Sequence, residues 1–168
     1  MADLLQFIWN DDLNSFKANT SEESLARLEF FQLLDKKISS KQVDGLNFVK
    51  PLFISAFCGS IGIFKYLLDN DVKKTGTEVN NNGIAHALIF GASYSEDTER
   101  YEEMYKFLLK KSSLMEQHVI LNLKNKNGYN PLELSIKVKT YQLFILILNT
   151  EGVYVQSSKL MSTFSTHE

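Results

Sequence analysis

Residues 121–132 read LNLKNKNGYNPL, a polar, glycine-containing stretch that ends on a proline and a leucine. Pro131 opens an apolar segment that continues with Leu132, Leu134 and Ile136. Proline suits the first turn of a helix, because its missing N–H has no intrahelical partner there. The stretch therefore predicts a loop that leads directly into a short helix.

The same arrangement occurs around Pro51. A short apolar stretch covers residues 51–58, and a second apolar segment covers residues 63–68. After Pro131 the second segment covers residues 143–148, so the distance in sequence from the proline to the last leucine is equal in both copies. A short helix, a tight turn and a longer helix are typical of the unit of a repeat protein.

A third copy lies between these two. Residues 82–91 supply its first helix, and residues 104–109 supply its second. The polar segment 93–99 lengthens the turn between them. Each copy has one apolar face that it cannot bury alone, so we expect the copies to stack on one another.

These copies resemble the repeats of the ankyrin family. Residues 50–60 (KPLFISAFCGS) are similar to the family's T-P-L-H-L-A-A-x-x-G-H run, and residues 121–132 are similar to its V-N-A-K-D-x-x-G-x-T-P-L run. In the middle copy His86 is assigned to the place of the proline. The resemblance implies an all-α, ankyrin-repeat-like helical solenoid with about three recognisable repeats and an irregular N-terminal helical cap.

Several positions depart from the family motif. In ankyrin repeats the histidine of T-P-L-H bonds to the neighbouring repeat, and its place is assigned here to Phe53, Leu88 and Glu133. Lys139 and Thr140 stand where the family has Gly-His. These departures imply a stack that is less regular than that of the family.

The domain organisation follows from the repeats. Residues 1–42 are predicted to form an N-terminal helical cap; the alternative is a degenerate repeat with its turn at residues 11–13. Within the cap, residues 20–37 are predicted to be a helix that opens with a capping box. Residues 43–153 are predicted to hold the ankyrin repeats, and residues 154–168 a flexible tail.

Composition and charge restrict the possible partners and locations of the protein. The net charge is −2 and the sequence pI is about 5.9, without a basic block, so no nucleic-acid partner is expected. The longest nearly apolar run, residues 143–148, is too short to span a bilayer. The single cysteine, Cys58, fits a reducing compartment. A cytoplasmic location is predicted, which would be the host cytoplasm for a secreted effector.

Three groups of residues suggest chemistry, and each has a simpler interpretation. Cys58 and His86 are one possible nucleophile–base pair, but both also suit packing positions. Residues 59–62 are one possible phosphate-binding turn, or simply the turn between two helices. The acidic residues of 96–103 would suit a cation, or a solvated loop and helix start. No enzymatic activity, cofactor or metal is predicted.

The predicted function is the binding of an intracellular protein partner through the concave face and the loop tips. In ankyrin proteins partners contact the loop tips and the two variable positions after A-A, and the resemblance carries these positions onto this chain. Tyr94 is added as an aromatic anchor on a polar loop. The candidate binding residues are Leu46, Asn47, Val49, Phe57, Asn81, Asn82, Ile84, Tyr94, Lys126, Asn127, Tyr129 and Lys137.

Five of these residues, Leu46, Val49, Phe57, Ile84 and Tyr129, would form an apolar strip rimmed by asparagine and lysine. Alternatively, Leu46 and Phe57 pack against the N-terminal cap. The chain is expected to be a monomer when unbound. The alternative function is that of a structural subunit or fragment of a larger ankyrin-repeat assembly, which would associate through an exposed end repeat.

Overall fold

The computed structural model describes residues 4–21, 48, 50–150 and 152–153. This part of the chain is helical and contains no strand, which confirms the predicted all-α class. Beside a 3-10 turn at Val79–Asn81, the helices are α1 (Leu4–Trp9), α2 (Leu13–Ala18), α3 (Pro51–Cys58), α4 (Ile61–Asp69), α5 (Ile84–Ser93), α6 (Thr98–Lys110), α7 (Leu114–Asn122), α8 (Pro131–Lys137) and α9 (Tyr141–Leu148).

Eight of these helices form four successive pairs, α1–α2, α3–α4, α5–α6 and α8–α9. The first helices of the pairs contact one another in chain order, from α1 through α3 and α5 to α8. The second helices do the same, from α2 through α4 and α6 to α9. The additional helix α7 packs against α5 and α8.

The turn inside a pair has the same backbone in three of the pairs. Asp11, Gly59 and Lys139 each precede the N-cap of the second helix, and their φ angles are 51°, 72° and 63°. Only glycine adopts this left-handed conformation without a steric cost. Asp11, in the turn that the alternative of a degenerate repeat places at residues 11–13, thus has the same backbone conformation as Gly59 and Lys139.

The hydrogen bonds of two pairs also correspond. The N–H of Ser60 donates to the carbonyl of Ser55 at 3.0 Å, and the N–H of Thr140 donates to the carbonyl of Ser135 at 2.9 Å. Each bond closes the end of the first helix of its pair. The correspondence supports the interpretation of residues 51–68 and 131–148 as copies of one unit.

Each boundary between successive pairs carries a polar link. The carboxylate of Asp11 accepts hydrogen bonds from the N–H groups of Gly62 and Ile63, at 2.9 and 3.0 Å, and so caps α4 from the preceding pair. At the next boundary, the N–H of Lys50 donates to a carboxylate oxygen of Glu78 at 2.6 Å. The third boundary is linked by His86, which is described with the site.

The middle pair does not have the register predicted from the sequence. Helix α5 begins at Ile84, so Ile84 takes the place of Pro51 and Pro131. His86 is the third residue of its helix, as are Phe53 and Glu133. The prediction of His86 at the proline position, and of Leu88 at the histidine position, is therefore wrong by two residues. Without a proline, the apolar spacing of 84–91 did not identify the first residue of the helix.

The apolar side chains form one core that runs through all four pairs. Phe16 and Phe64, which take equivalent places in α2 and α4, are both fully buried. In α3 every residue from Pro51 to Phe57 is buried, as expected for a helix with neighbours on several sides. No helix within the described ranges is long and apolar enough to cross a membrane.

Candidate binding cleft

A cleft of about 320 Å³ lies where the first three pairs meet. The C-terminal ends of α1, α3 and α5 and the start of α6 contribute its walls. Four of the seven lining residues are aromatic, and the other three are a cysteine, a glycine and a serine. The lining residues are Trp9, Phe57, Cys58, Gly91, Tyr94, Ser95 and Tyr101.

Gly91 brings α5 unusually close to α3. A Cβ atom at this position would lie 2.2 Å from the carbonyl oxygen of Phe57 and 2.7 Å from the ring of Tyr101. The hydroxyl of Tyr101 donates to the same Phe57 carbonyl at 2.8 Å. Burial raises the pKa of Tyr101, so the hydroxyl keeps its proton and remains a donor. These contacts fix the floor of the cleft.

Three aromatic rings lie in sequence from the core to the surface. The ring of Phe57 lies 5.6 Å from that of Phe48 and 6.1 Å from that of Tyr94, measured between centroids. Phe57 is only 6% exposed, whereas Tyr94 is 60% exposed. Tyr94 is thus held by its inner edge against Phe57 while most of its surface faces solvent.

The rim beside Tyr94 is polar. The guanidinium of Arg100 pairs with the carboxylate of Asp97, at 3.1 Å between Nε and Oδ2, and donates to the carbonyl of Gly59 at 3.4 Å. The hydroxyl of Ser95 accepts the N–H of Asp97 at 3.1 Å. Glu96, between Ser95 and Asp97, is exposed.

His86 links α5 to the last pair. Its Nδ1 accepts the N–H of Gly83 at 3.0 Å, and its Nε2 therefore carries the proton that it donates to the carbonyl of Tyr129 at 2.9 Å. Burial lowers its pKa to about 4. Both ring nitrogens are engaged away from Cys58, so the geometry does not support a Cys58–His86 catalytic pair.

The other two chemical interpretations find no support in the geometry either. The N–H groups at the start of α4, which a phosphate would need, are taken by the carboxylate of Asp11. Among the described residues no group of three or more histidine, cysteine, aspartate or glutamate side chains could hold a metal ion. The acidic residue Asp97 instead caps α6 and pairs with Arg100.

The predicted binding residues separate into two groups. Phe57 and Tyr94 meet at the cleft. The loop residues of 81–82 and 126–129 meet elsewhere, where the side-chain amide of Asn81 donates to the carbonyl of Lys124 at 2.8 Å. On this loop surface Asn81, Lys126 and Asn127 are exposed, and Tyr129 is half-buried. Lys137 is half-buried at the end of α8.

Two of the predicted binding residues, Asn82 and, in the apolar strip, Ile84, are buried, so the prediction for them is wrong. Ile84 is 0% exposed and Asn82 is 3% exposed, so neither offers a surface to a partner. Ile84 belongs to the first turn of α5 and packs in the core, and Asn82 accepts the side-chain amide of Asn125 at 3.1 Å. Phe57 is likewise mostly buried, against Phe48 and Tyr94. Leu46, Asn47 and Val49 lie outside the described residues.

The sequence interpretation missed four lining residues, Trp9, Gly91, Ser95 and Tyr101. A signal for Trp9 existed, because Trp9 precedes Asp11 by the same two positions by which Phe57 precedes Gly59. The sequence offered no comparable signal for Tyr101.

Comparison with family models and with curated proteins finds no match for the chain.

Proposed function

We propose that the chain is an ankyrin-repeat-like solenoid that binds an intracellular protein partner and does not catalyse a reaction. Its repeats are residues 51–69, 84–110 and 131–148, with α1–α2 as a fourth, degenerate copy at the N-terminus. The equal turn conformations and the contacts between successive pairs support this interpretation. The single observation that carries the binding proposal is Tyr94, which is 60% exposed at the rim of an aromatic cleft.

A protein partner suits this cleft better than a small molecule does. Its volume of about 320 Å³ is at the lower end of the roughly 300–1,000 Å³ found for small-molecule pockets. A shallow site of that size fits one or two side chains of a larger partner. Binding energy in protein interfaces concentrates on such aromatic anchors, with near-neutral contacts around them.

The loop surface formed by Asn81, Lys126 and Asn127 is proposed as a second, weaker contact. All three residues are exposed. Polar and charged side chains at the rim of an interface contribute mainly to specificity and association rate. We therefore expect substitutions there to change affinity less than substitutions at Tyr94 do.

The test compares two exposed tyrosines. The full chain is immobilised, a partner is captured from cell lysate and identified by mass spectrometry, and its affinity is then measured with purified components. Tyr94→Ala should weaken binding about 30-fold, the factor that corresponds to about 2 kcal/mol for a hot-spot residue. Tyr141→Ala, at a tyrosine that is 48% exposed on α9, should change it less than about twofold.

The proposal fails if the partner binds Tyr94→Ala as tightly as it binds the wild-type chain. Circular dichroism of both variants must show unchanged helicity, so that a loss of binding is not a loss of fold. A partner that is lost with Tyr141→Ala and kept with Tyr94→Ala would place the interface on α9 instead.

A second candidate function, that of a subunit in a larger assembly, is favoured by the surface of α9. This helix has no charged residue, and Tyr141, Ile145 and Leu148 are 48%, 55% and 43% exposed along one stripe. At the equivalent positions of α4, Leu68 is 2% exposed and Lys65 pairs with Glu103 of the next pair at 2.6 Å. The α9 stripe thus corresponds to a surface that the next pair covers.

Solution mass tests the assembly function. Under this function the wild-type chain associates above its monomer mass of 19.2 kDa, and Ile145→Glu restores the monomer, because a charge cannot be buried at such a contact. A wild-type chain that remains monomeric at high concentration argues against self-assembly, and the binding function is then favoured.

A further inference from the structure

We propose that the cleft receives an arginine side chain from a basic segment of the partner, which stacks against the rings of Trp9 and Tyr94. This inference rests on the proposed function of the cleft and specifies the chemistry of its partner. It follows from two independent features of the site, the aromatic residues that line it and the sign of the charge at the rim.

The two aromatic residues, Trp9 and Tyr94, come from different pairs of helices. Trp9 ends α1 and is half-buried, Tyr94 follows α5 and is 60% exposed, and both residues line the cleft. The faces of aromatic rings attract cations, and tryptophan and tyrosine do so most strongly. A guanidinium is planar and weakly hydrated, and it stacks on such rings more readily than an ammonium does.

The charge at the rim is negative. Between Gly91 and Tyr101 the chain carries Glu96, Asp97, Glu99 and a single cation, Arg100. Asp97 compensates Arg100 through the ion pair at 3.1 Å. The exposed carboxylate of Glu96 remains as net charge beside Ser95, which lines the cleft.

A guanidinium already binds at the edge of this cleft within the molecule itself. Arg100 donates to the carbonyl of Gly59 at 3.4 Å while it pairs with Asp97. Arg100 already uses this carbonyl and this carboxylate, so the exposed carboxylate of Glu96 is the acceptor left for a second guanidinium. An acidic partner segment would instead bring like charges against Glu96, which disfavours that class of partner.

The chain contains its own reporter, because Trp9 is the only tryptophan. The full chain is titrated with three acetylated and amidated peptides, Gly-Gly-X-Gly-Gly, in which X is arginine, glutamine or glutamate. Tryptophan fluorescence is excited selectively and followed to saturation. We expect the arginine peptide to bind at least fivefold more tightly than the glutamine peptide, the glutamate peptide to bind weakest, and added salt to reduce the difference.

Variants test whether the preference for the arginine peptide depends on the cleft. Tyr94→Ala should remove the preference for arginine, and Glu96→Gln should reduce the affinity for the arginine peptide about two- to threefold. The matched control is Glu103→Gln, because Glu103 is an exposed glutamate that pairs with Lys65 on the second helices. This control should leave the titration unchanged.

The outcomes separate this inference from the proposed function. If the glutamine or glutamate peptide binds as tightly as the arginine peptide, the inference is overturned, and a dependence on Tyr94 still supports the binding cleft. If no peptide changes the fluorescence of Trp9 while a captured partner is lost with Tyr94→Ala, the arginine inference fails and the binding function stands. If the partner is also kept with Tyr94→Ala, both fail.

Discussion

Replacing Gly91 with alanine is the most direct test of the packing that forms the cleft. The added Cβ would lie 2.2 Å from the carbonyl oxygen of Phe57, about 1 Å inside ordinary contact between carbon and oxygen. The obstacle is backbone, which cannot rotate away as a side chain can. Helices α3 and α5 must therefore separate.

The loss of stability in the Gly91→Ala variant follows from the contacts that the separation of α3 and α5 disturbs. Overpacking of this kind costs about 1–3 kcal/mol. A shift of α3 against α5 and α6 also strains the hydrogen bond of 2.8 Å from Tyr101 to Phe57. Losing that bond between buried groups costs a further 1–3 kcal/mol or so. The higher helix propensity of alanine offsets about 1 kcal/mol of this destabilisation. The net expectation is a loss of about 1–5 kcal/mol in the free energy of unfolding.

The assay is urea unfolding followed by circular dichroism, with Gly62→Ala as the control. A Cβ at Gly62 meets only the carboxylate of Asp11, at 3.2 Å, and that side chain can shift. We expect Gly62→Ala to change stability by less than about 1 kcal/mol. A Gly91→Ala chain as stable as the wild type would refute the close approach of α3 and α5, and with it the floor of the cleft.

Three further predictions concern the links and turns. The pKa of His86 falls from 6.5 to about 4 on folding, so its contribution to the free energy of unfolding, on the order of 3 kcal/mol, is complete above pH 6.5 and is lost as the pH falls toward 4. His86→Gln should flatten the stability profile over this range in urea titrations, and a profile as steep as that of the wild type would contradict the burial of the imidazole. Lys139→Gly should raise the free energy of unfolding by about 0.5–1 kcal/mol, because the φ of Lys139 is 63° and its side chain is exposed, so glycine relieves the steric cost without losing a contact. An unchanged midpoint of thermal unfolding would contradict the left-handed turn. At the equivalent turn position Asp11→Gly should instead cost about 1 kcal/mol in urea unfolding, because it removes the cap of α4; equal effects of the two glycine substitutions would contradict that link.

The sequence predicted the helix pairs best where proline marks a helix start. Pro51 and Pro131 each begin a helix as expected. The middle pair lacks proline, and an apolar stretch such as 84–91 permits several registers, so its start was misplaced. The predicted helix at 20–37 and the tail at 154–168 lie outside the described residues.

Helix α7 was not predicted, although the sequence carries a signal for it. Ser113 and Glu116 form a capping box, in which each side chain bonds to the backbone N–H of the other, at 3.1 and 3.0 Å. The helix presents Leu114 and Met115 to solvent, so it lacks the clear apolar stripe on which the interpretation relied. Local capping was therefore more informative here than periodicity.

The cleft was predictable only in part. The polar neighbours of Tyr94 correctly indicated an exposed aromatic side chain, and its role as an anchor stays a prediction. The burial of Ile84 depends on the first residue of α5, and the need for glycine at 91 depends on how closely two helices approach. Both are properties of tertiary packing, which a single sequence does not display.

The polar links at the three boundaries join only consecutive pairs, from Asp11 to Gly62, from Lys50 to Glu78 and from His86 to Tyr129. If the chain is pulled from its two ends, the load passes through these boundaries one after another. We expect it to lengthen in several small steps under force, and to refold stepwise when the force is released, in the manner of a molecular spring.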